Sequence, residues 1–187
     1  MMSMSSLNEQ SSIALKRTVI IAIFAAVSVV LSLVEMYIPV NMSVPGAKLG
    51  LANIMVLTCL YFLRTRDAFM MVILKTLLTS FMFGTFSSFL FSIMGALFSF
   101  AAMWFLLLVG RDKLSVIGIS IIGGIAHNFG QLTAAALYFG TLNIFYYLPM
   151  LMIMGVLTGI AVGIAVRYLI PALSKLSLFD SFLAKTS

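Results

Sequence analysis

Two short stretches of this chain hold side chains able to bind a small molecule. In Pro45-Gly46-Ala47-Lys48-Leu49-Gly50-Leu51-Ala52-Asn53-Ile54, an irregular segment runs into an apolar helix, with Lys48 near the helix start and Asn53 about one turn deeper. The free N–H groups of a helix start favour anions, so Lys48 in that position suits a carboxylate or phosphate. In Ala126-His127-Asn128-Phe129-Gly130-Gln131, His127 and Gln131 lie one turn apart on one helix face, and Asn128 is adjacent. Gly123, Gly124 and Gly130 leave room beside that helix. Polar residues in membranes often serve only as interhelical hydrogen bonds. Three of them this close together favour a ligand site.

Two further charges sit where charge is costly. Lys75 lies about seven residues, roughly 10 Å, into an apolar stretch. A charged side chain at the bilayer centre costs at least about 2.5–3.5 kcal/mol. Lys75 therefore either faces a cavity or a counter-charge, or stretches its stem to the interface; its depth favours the former. Glu35 is the acidic residue of the outer half, and its type and position fit equally a partner for Lys48 or a contact for a ligand amine. Lys48, Lys75 and His127 together outweigh Glu35, so the expected cavity is electropositive and takes an anionic or partly anionic molecule. A metal site is not expected, because the chain has one His and no second strong ligand near it. The single Cys59 cannot form an intrachain disulfide and reads as a buried, inert thiol.

These residues must be positioned by membrane helices. Apolar residues make up 63% of the chain and charged residues 9%, with a mean hydropathy of +1.19, which excludes an ordinary soluble domain. A spanning helix needs about 20 mostly apolar residues, so 187 residues have room for roughly six spans and short loops. The cations gather as Lys16 and Arg17; Arg64 and Arg66; Arg111 and Lys113; and Arg167, Lys175 and Lys185. Such groups mark cytoplasmic connections. The expected fold is all-α, with six transmembrane helices at 18–37, 49–63, 68–83, 89–109, 116–139 and 148–168, and with both termini cytoplasmic. A polar tail over 1–14, a membrane domain over 15–172 and a cytoplasmic tail over 173–187 complete the organisation. Pro171 is expected to stop the sixth helix. The second span is short, and the segment before it is expected to enter the membrane and complete the crossing.

The pI of 9.7 does not indicate nucleic acid, because the basic residues are divided among turns and form no stripe. Neither a cleavable leader nor an internal repeat is recognisable, and the missing repeat argues against an inverted-repeat carrier. Gly155, Gly159 and Gly163 recur every four residues, as do Gly95 and Ser99, and Ala22 and Ala26. That spacing lets helix backbones approach closely. The glycine row reads as packing within the chain. The alanine pair reads either as such packing or as a flat face offered to a separate membrane subunit.

The 45–54 and 126–131 stretches resemble a bacterial family of small six-span proteins, known either as Gx transporters or as heptaprenyl diphosphate synthase component I. The resemblance covers nearly all of the chain after its polar start. More distantly, it is similar to the substrate-binding S components of energy-coupling factor (ECF) transporters. That resemblance implies six helices with both ends inside, a loop over 38–50 closing on a small-molecule site, and Ala22 and Ala26 docking on a transmembrane coupling subunit. It implies that separate ATPase subunits spend the ATP, that this chain holds no cofactor of its own, and that it resides in the bacterial cytoplasmic membrane. Family substrates are vitamins, cofactor precursors and metal ions.

Catalysis by this chain is not expected. Glu9, Glu35, Asp67, Asp112 and Asp180 are scattered, whereas a magnesium–diphosphate site needs clustered carboxylates. The phosphate loop of ATPases is also missing from the sequence. The reading is a substrate-binding subunit of an ATP-driven importer for a small, anionic vitamin, cofactor or quinone precursor. One alternative is a non-catalytic membrane accessory of heptaprenyl diphosphate or menaquinone synthesis. Another is a stand-alone proton-coupled carrier using Glu35, Lys75 and His127.

Overall fold

Apolar runs broken by short polar turns leave the backbone no partner but itself inside lipid, and helices satisfy it. The computed structural model describes residues 4–37, 50–110 and 113–176, and it contains no strand among them. The helices are α1 (Met4–Tyr37), α2 (Asn53–Phe62), α3 (Thr65–Phe83), α4 (Phe86–Gly110), α5 (Val116–Phe139) and α6 (Leu148–Ser174), with a 3-10 segment at Leu142–Tyr147 before α6.

Among the described residues, four segments are long and apolar enough to cross a membrane: Ser11–Glu35, Phe86–Gly110, Val116–Phe139 and Leu142–Ser174. The chain is thus an all-helical, multi-pass membrane protein. Of the other two expected spans, α3 is 19 residues long and carries Arg66, Asp67 and Lys75. Helix α2 has only 10 residues, so it is roughly 15 Å long, half of a hydrocarbon core of about 30 Å. Whether the preceding segment completes that crossing concerns residues 38–49, which lie outside the described residues.

Helix ends differ from the expected ones in several places. Helix α1 begins at Met4, so the polar start from that residue onward is helical; its Leu, Glu, Gln and Ala are good helix formers that extend a helix already nucleated by the apolar stretch. Helix α3 begins at Thr65, which reduces the turn after α2 to Leu63 and Arg64. Pro171 does not stop α6, which runs on to Ser174. A proline in the last turn forfeits one backbone bond near an end that frays anyway. Elsewhere the chemistry is as the residues suggest. The Ser115 side chain caps α5 by accepting from the Gly118 N–H at 3.0 Å, and Gly140 ends α5 in the left-handed region with φ of +65°.

Helix α5 is the spine, packed against α4 on one side and α6 on the other. The glycine row brings α6 against it as expected. A Cβ on Gly159 would stand 2.5 Å from Ile121 Cα, and one on Gly163 would stand 2.6 Å from Ile117 Cα. Helix α1 packs on α3. Its inner face carries Ile20, Phe24, Ala25, Ser28, Ser32 and Glu35, all buried, while Val19, Ile23, Val27 and Val30 are exposed. Ala22 and Ala26 lie on the exposed side. The alanine pair therefore takes no part in packing within the bundle. Helix α2 sits among α1, α3, α4 and α6, with Val56, Leu57, Thr58 and Cys59 fully enclosed.

Candidate functional site

A half-length helix buried in a bundle must begin at membrane depth, and its first N–H groups need partners there. Glu35 supplies partners for the turn that leads into that helix. Its carboxylate oxygens accept from Gly50 N at 2.5 Å and from Leu51 N at 3.2 Å. Gly50 adopts φ of +89° to make this turn, a conformation suited to glycine. Neither sequence-stated option for Glu35 anticipates this. The turn just before the positive end of α2, an end that the sequence offers to an anionic ligand, is held here by the chain's own carboxylate. Lys48, the other expected partner, lies outside the described residues.

Beside this joint is a cavity of about 30 Å³, walled by Ser32 and Glu35 of α1, Gly50 and Ala52, Lys75, Thr76 and Thr79 of α3, Ser92 and Ala96 of α4, and His127 of α5. A water needs about 10–15 Å³ on this measure, so the cavity has room for roughly two. Lys75 is 5% exposed, so it turns inward rather than reaching for the interface. The Thr76 and Thr79 hydroxyls donate to Val72 O and Lys75 O, each at 2.8 Å. Their remaining lone pairs are acceptors. Ser92 Oγ has no hydrogen-bond partner among the described residues.

His127 is held by close backbone on two sides. A Cβ on Gly95 would lie 3.1 Å from its Cε1, and one on Gly50 would lie 3.4 Å from its Cδ2. Its Nε2 is 2.9 Å from Gln131 Nε2, so the amide donates to the ring nitrogen when that nitrogen is unprotonated. Asn53 is 4% exposed and donates to Ser99 Oγ at 3.2 Å, while its Oδ1 has no partner among the described residues. Asn128 behaves differently. Its Nδ2 donates to Leu151 O at 2.6 Å, tying α5 to α6.

The structure therefore gathers Glu35, Lys75 and His127 on one cavity, sets Asn53 and Gln131 just behind it, and turns Asn128 to another helix. The expected positive charge of the cavity includes Lys48, which lies outside the described residues. Lys75 and Glu35 are the formally charged groups among its described walls, and with His127 neutral they cancel. A positive excess needs Lys48 or a protonated His127. Sequence reasoning missed Ser32, Thr76, Thr79 and Ser92. Ser32 and Thr79 carried a signal, because Ser32 is three residues before Glu35 and Thr79 four after Lys75, each on the same helix face.

The site offers charge and hydrogen bonds. Among the described residues, no group of three His, Cys, Asp or Glu side chains could hold a metal. At the opposite end of the bundle, Asp67, 1% exposed, is ion-paired with Arg17, so that carboxylate serves to join α3 to α1.

No curated protein and no solved structure matches the chain. The profile of one family, described as heptaprenyl diphosphate synthase component I, matches residues 24–169. That span runs from α1 to α6 and includes every described wall of the cavity. The chain belongs to the heptaprenyl diphosphate synthase component I family.

Proposed function

We propose that this chain is a membrane-embedded binding subunit for a small, partly anionic molecule, and that it relies on other proteins for the energy of transport. The observation that carries this reading is the convergence of Lys75, Glu35 and His127, from three helices, on one small cavity. Ionisable residues at membrane depth are expensive and are kept where they bind or conduct something. In this reading Lys75 draws the anionic group, His127 and Gln131 orient it, and Glu35 anchors the half-helix that closes the site. A molecule larger than two waters requires the walls to part, and the Gly50 turn is the natural joint.

The wider assembly follows the S components of ECF transporters. Both termini are cytoplasmic, as the positive groups indicate, and the protein lies in the bacterial cytoplasmic membrane. The outward Ala22 and Ala26 face meets a transmembrane coupling subunit. Separate ATPases supply the driving force, and this chain is not an enzyme. The substrate class is a vitamin, cofactor or quinone precursor.

The family description favours a second reading, a non-catalytic accessory of prenyl diphosphate synthesis, since a component I implies a partner component. A cavity of about 30 Å³ is too small for an isoprenoid tail, so in that case the chain would hold a partner enzyme rather than the product. Purification of the tagged protein separates the two. Coupling and ATPase subunits accompany an S component, whereas a soluble prenyl diphosphate synthase accompanies an accessory. A thermal-shift screen against vitamins, quinone precursors and prenyl diphosphates then identifies the ligand, since a compound at 100 times its Kd adds about 2.7 kcal/mol.

A further inference from the structure

A second concavity lies at the other end of α2, away from the polar cavity. It has a volume of about 180 Å³ and is lined by Leu60, Leu63, Arg64, Trp104, Leu107 and Leu108, among others. Its inner wall is apolar, with Leu63 buried, while Leu108 and Trp104 are exposed and Arg64 stands exposed between α2 and α3. Among the described residues, Arg64 is the charged member of the lining, and no carboxylate accompanies it there. The nearest acid in sequence, Asp67, is already engaged by Arg17. Among the described residues, the local charge is therefore a cation at the rim of a slot with an apolar inner wall.

We propose that this slot is a binding site for an anionic phospholipid, with the phosphate against Arg64 and an acyl chain along Leu60, Leu63 and Leu107. Three properties fit that occupant. Guanidinium groups bind phosphate through strong charge-assisted hydrogen bonds. Indole rings such as Trp104 sit at headgroup level in membranes. Basic pockets between membrane helices take anionic headgroups. A pocket at the α3–α4 turn provides the contrast. It holds about 240 Å³ among Leu77, Phe81, Phe86 and Phe89, and its lining carries no charge. It can take a lipid tail but cannot choose a headgroup.

The test uses delipidated, detergent-purified full-length protein, with phosphatidylglycerol and phosphatidylcholine added in turn. Bound lipid is counted by native mass spectrometry and its effect followed by thermal unfolding. Phosphatidylglycerol is expected to stabilise saturably, and phosphatidylcholine is not. Arg64→Gln weakens apparent affinity roughly tenfold, the loss of a charge-assisted contact. Arg66→Gln, an exposed cation outside the slot, changes it little. Leu107→Trp fills the slot and blocks binding even if Arg64→Gln proves too unstable to purify. Equal effects of the two lipids overturn the proposal, as does an unchanged Arg64→Gln affinity. An equal loss in Arg66→Gln also overturns it, by showing diffuse attraction instead of a site. Tighter binding of farnesyl diphosphate than of phosphatidylglycerol reassigns the slot to an isoprenyl ligand and overturns the phospholipid proposal.

Discussion

Replacing Glu35 tests how the half-helix is held. The carboxylate is 6% exposed and accepts two backbone N–H groups, at 2.5 and 3.2 Å. Hydrogen bonds to a charged group contribute about 1.5–3 kcal/mol each. Glu35→Gln keeps the shape but offers only one acceptor oxygen, and it turns an NH2 toward the other buried N–H. The loss of one such bond, with an unmatched donor left behind, comes to about 3 kcal/mol. For a chain of this size that lowers Tm by roughly 6–12 °C. The assay is thermal unfolding in detergent, read together with hydrogen exchange at the Gly50 and Leu51 amides. Their protection should fall by roughly a hundredfold, at 1.36 kcal/mol per tenfold. A Glu35→Gln protein within about 0.5 kcal/mol of the parent, with Gly50 and Leu51 exchanging at the parental rate, would refute the clamp. An equal loss in Lys48→Gln would reassign Glu35 to ion pairing.

Three further substitutions probe the frame and the edges of the site. Gly159→Ala puts a methyl 2.5 Å from Ile121 Cα and should cost about 1–3 kcal/mol through overpacking, seen as a lower Tm. Arg17→Met strands the buried Asp67; because Arg17 is one-third exposed, the expected loss is discounted to about 2 kcal/mol, and adding Asp67→Leu should restore most of it in a double-mutant cycle. Asn128→Leu removes the bond to Leu151 O and should cost only about 0.6–2 kcal/mol. In a binding titration its ligand affinity should match the parent, whereas His127→Leu should lose affinity.

Much of this organisation was legible in the residues. Long apolar runs with cations between them gave the membrane class, and the shortness of the 49–63 stretch anticipated a helix too brief to cross alone. The four-residue glycine rhythm was read correctly as internal packing because such a row only makes sense against another backbone. What escaped depends on contacts between distant positions. Glu35 meets the amides of residues 50 and 51, and no local pattern encodes that pairing across fifteen positions. Asn128 was grouped with His127 and Gln131 by proximity along the chain. One residue is about 100° around a helix, so a neighbour of His127 faces a different helix while Gln131, four further on, shares its face. Pro171 misled because proline is a strong breaker in a helix interior and a weak one in its last turn. Residues 38–49 lie outside the described residues, so the reading of Lys48 rests on sequence alone.

The account stands on the polar cavity as the ligand site, and direct binding to the Lys75 variant tests it. Equilibrium titration of the purified protein with the compound that emerges from the screen should give saturable binding of one molecule per chain. Lys75→Met, whose side chain keeps much of the apolar stem, should bind roughly tenfold or more weakly, as expected for losing a charge-assisted contact, while still unfolding cooperatively. An affinity unchanged in Lys75→Met would place the ligand elsewhere and contradict the account.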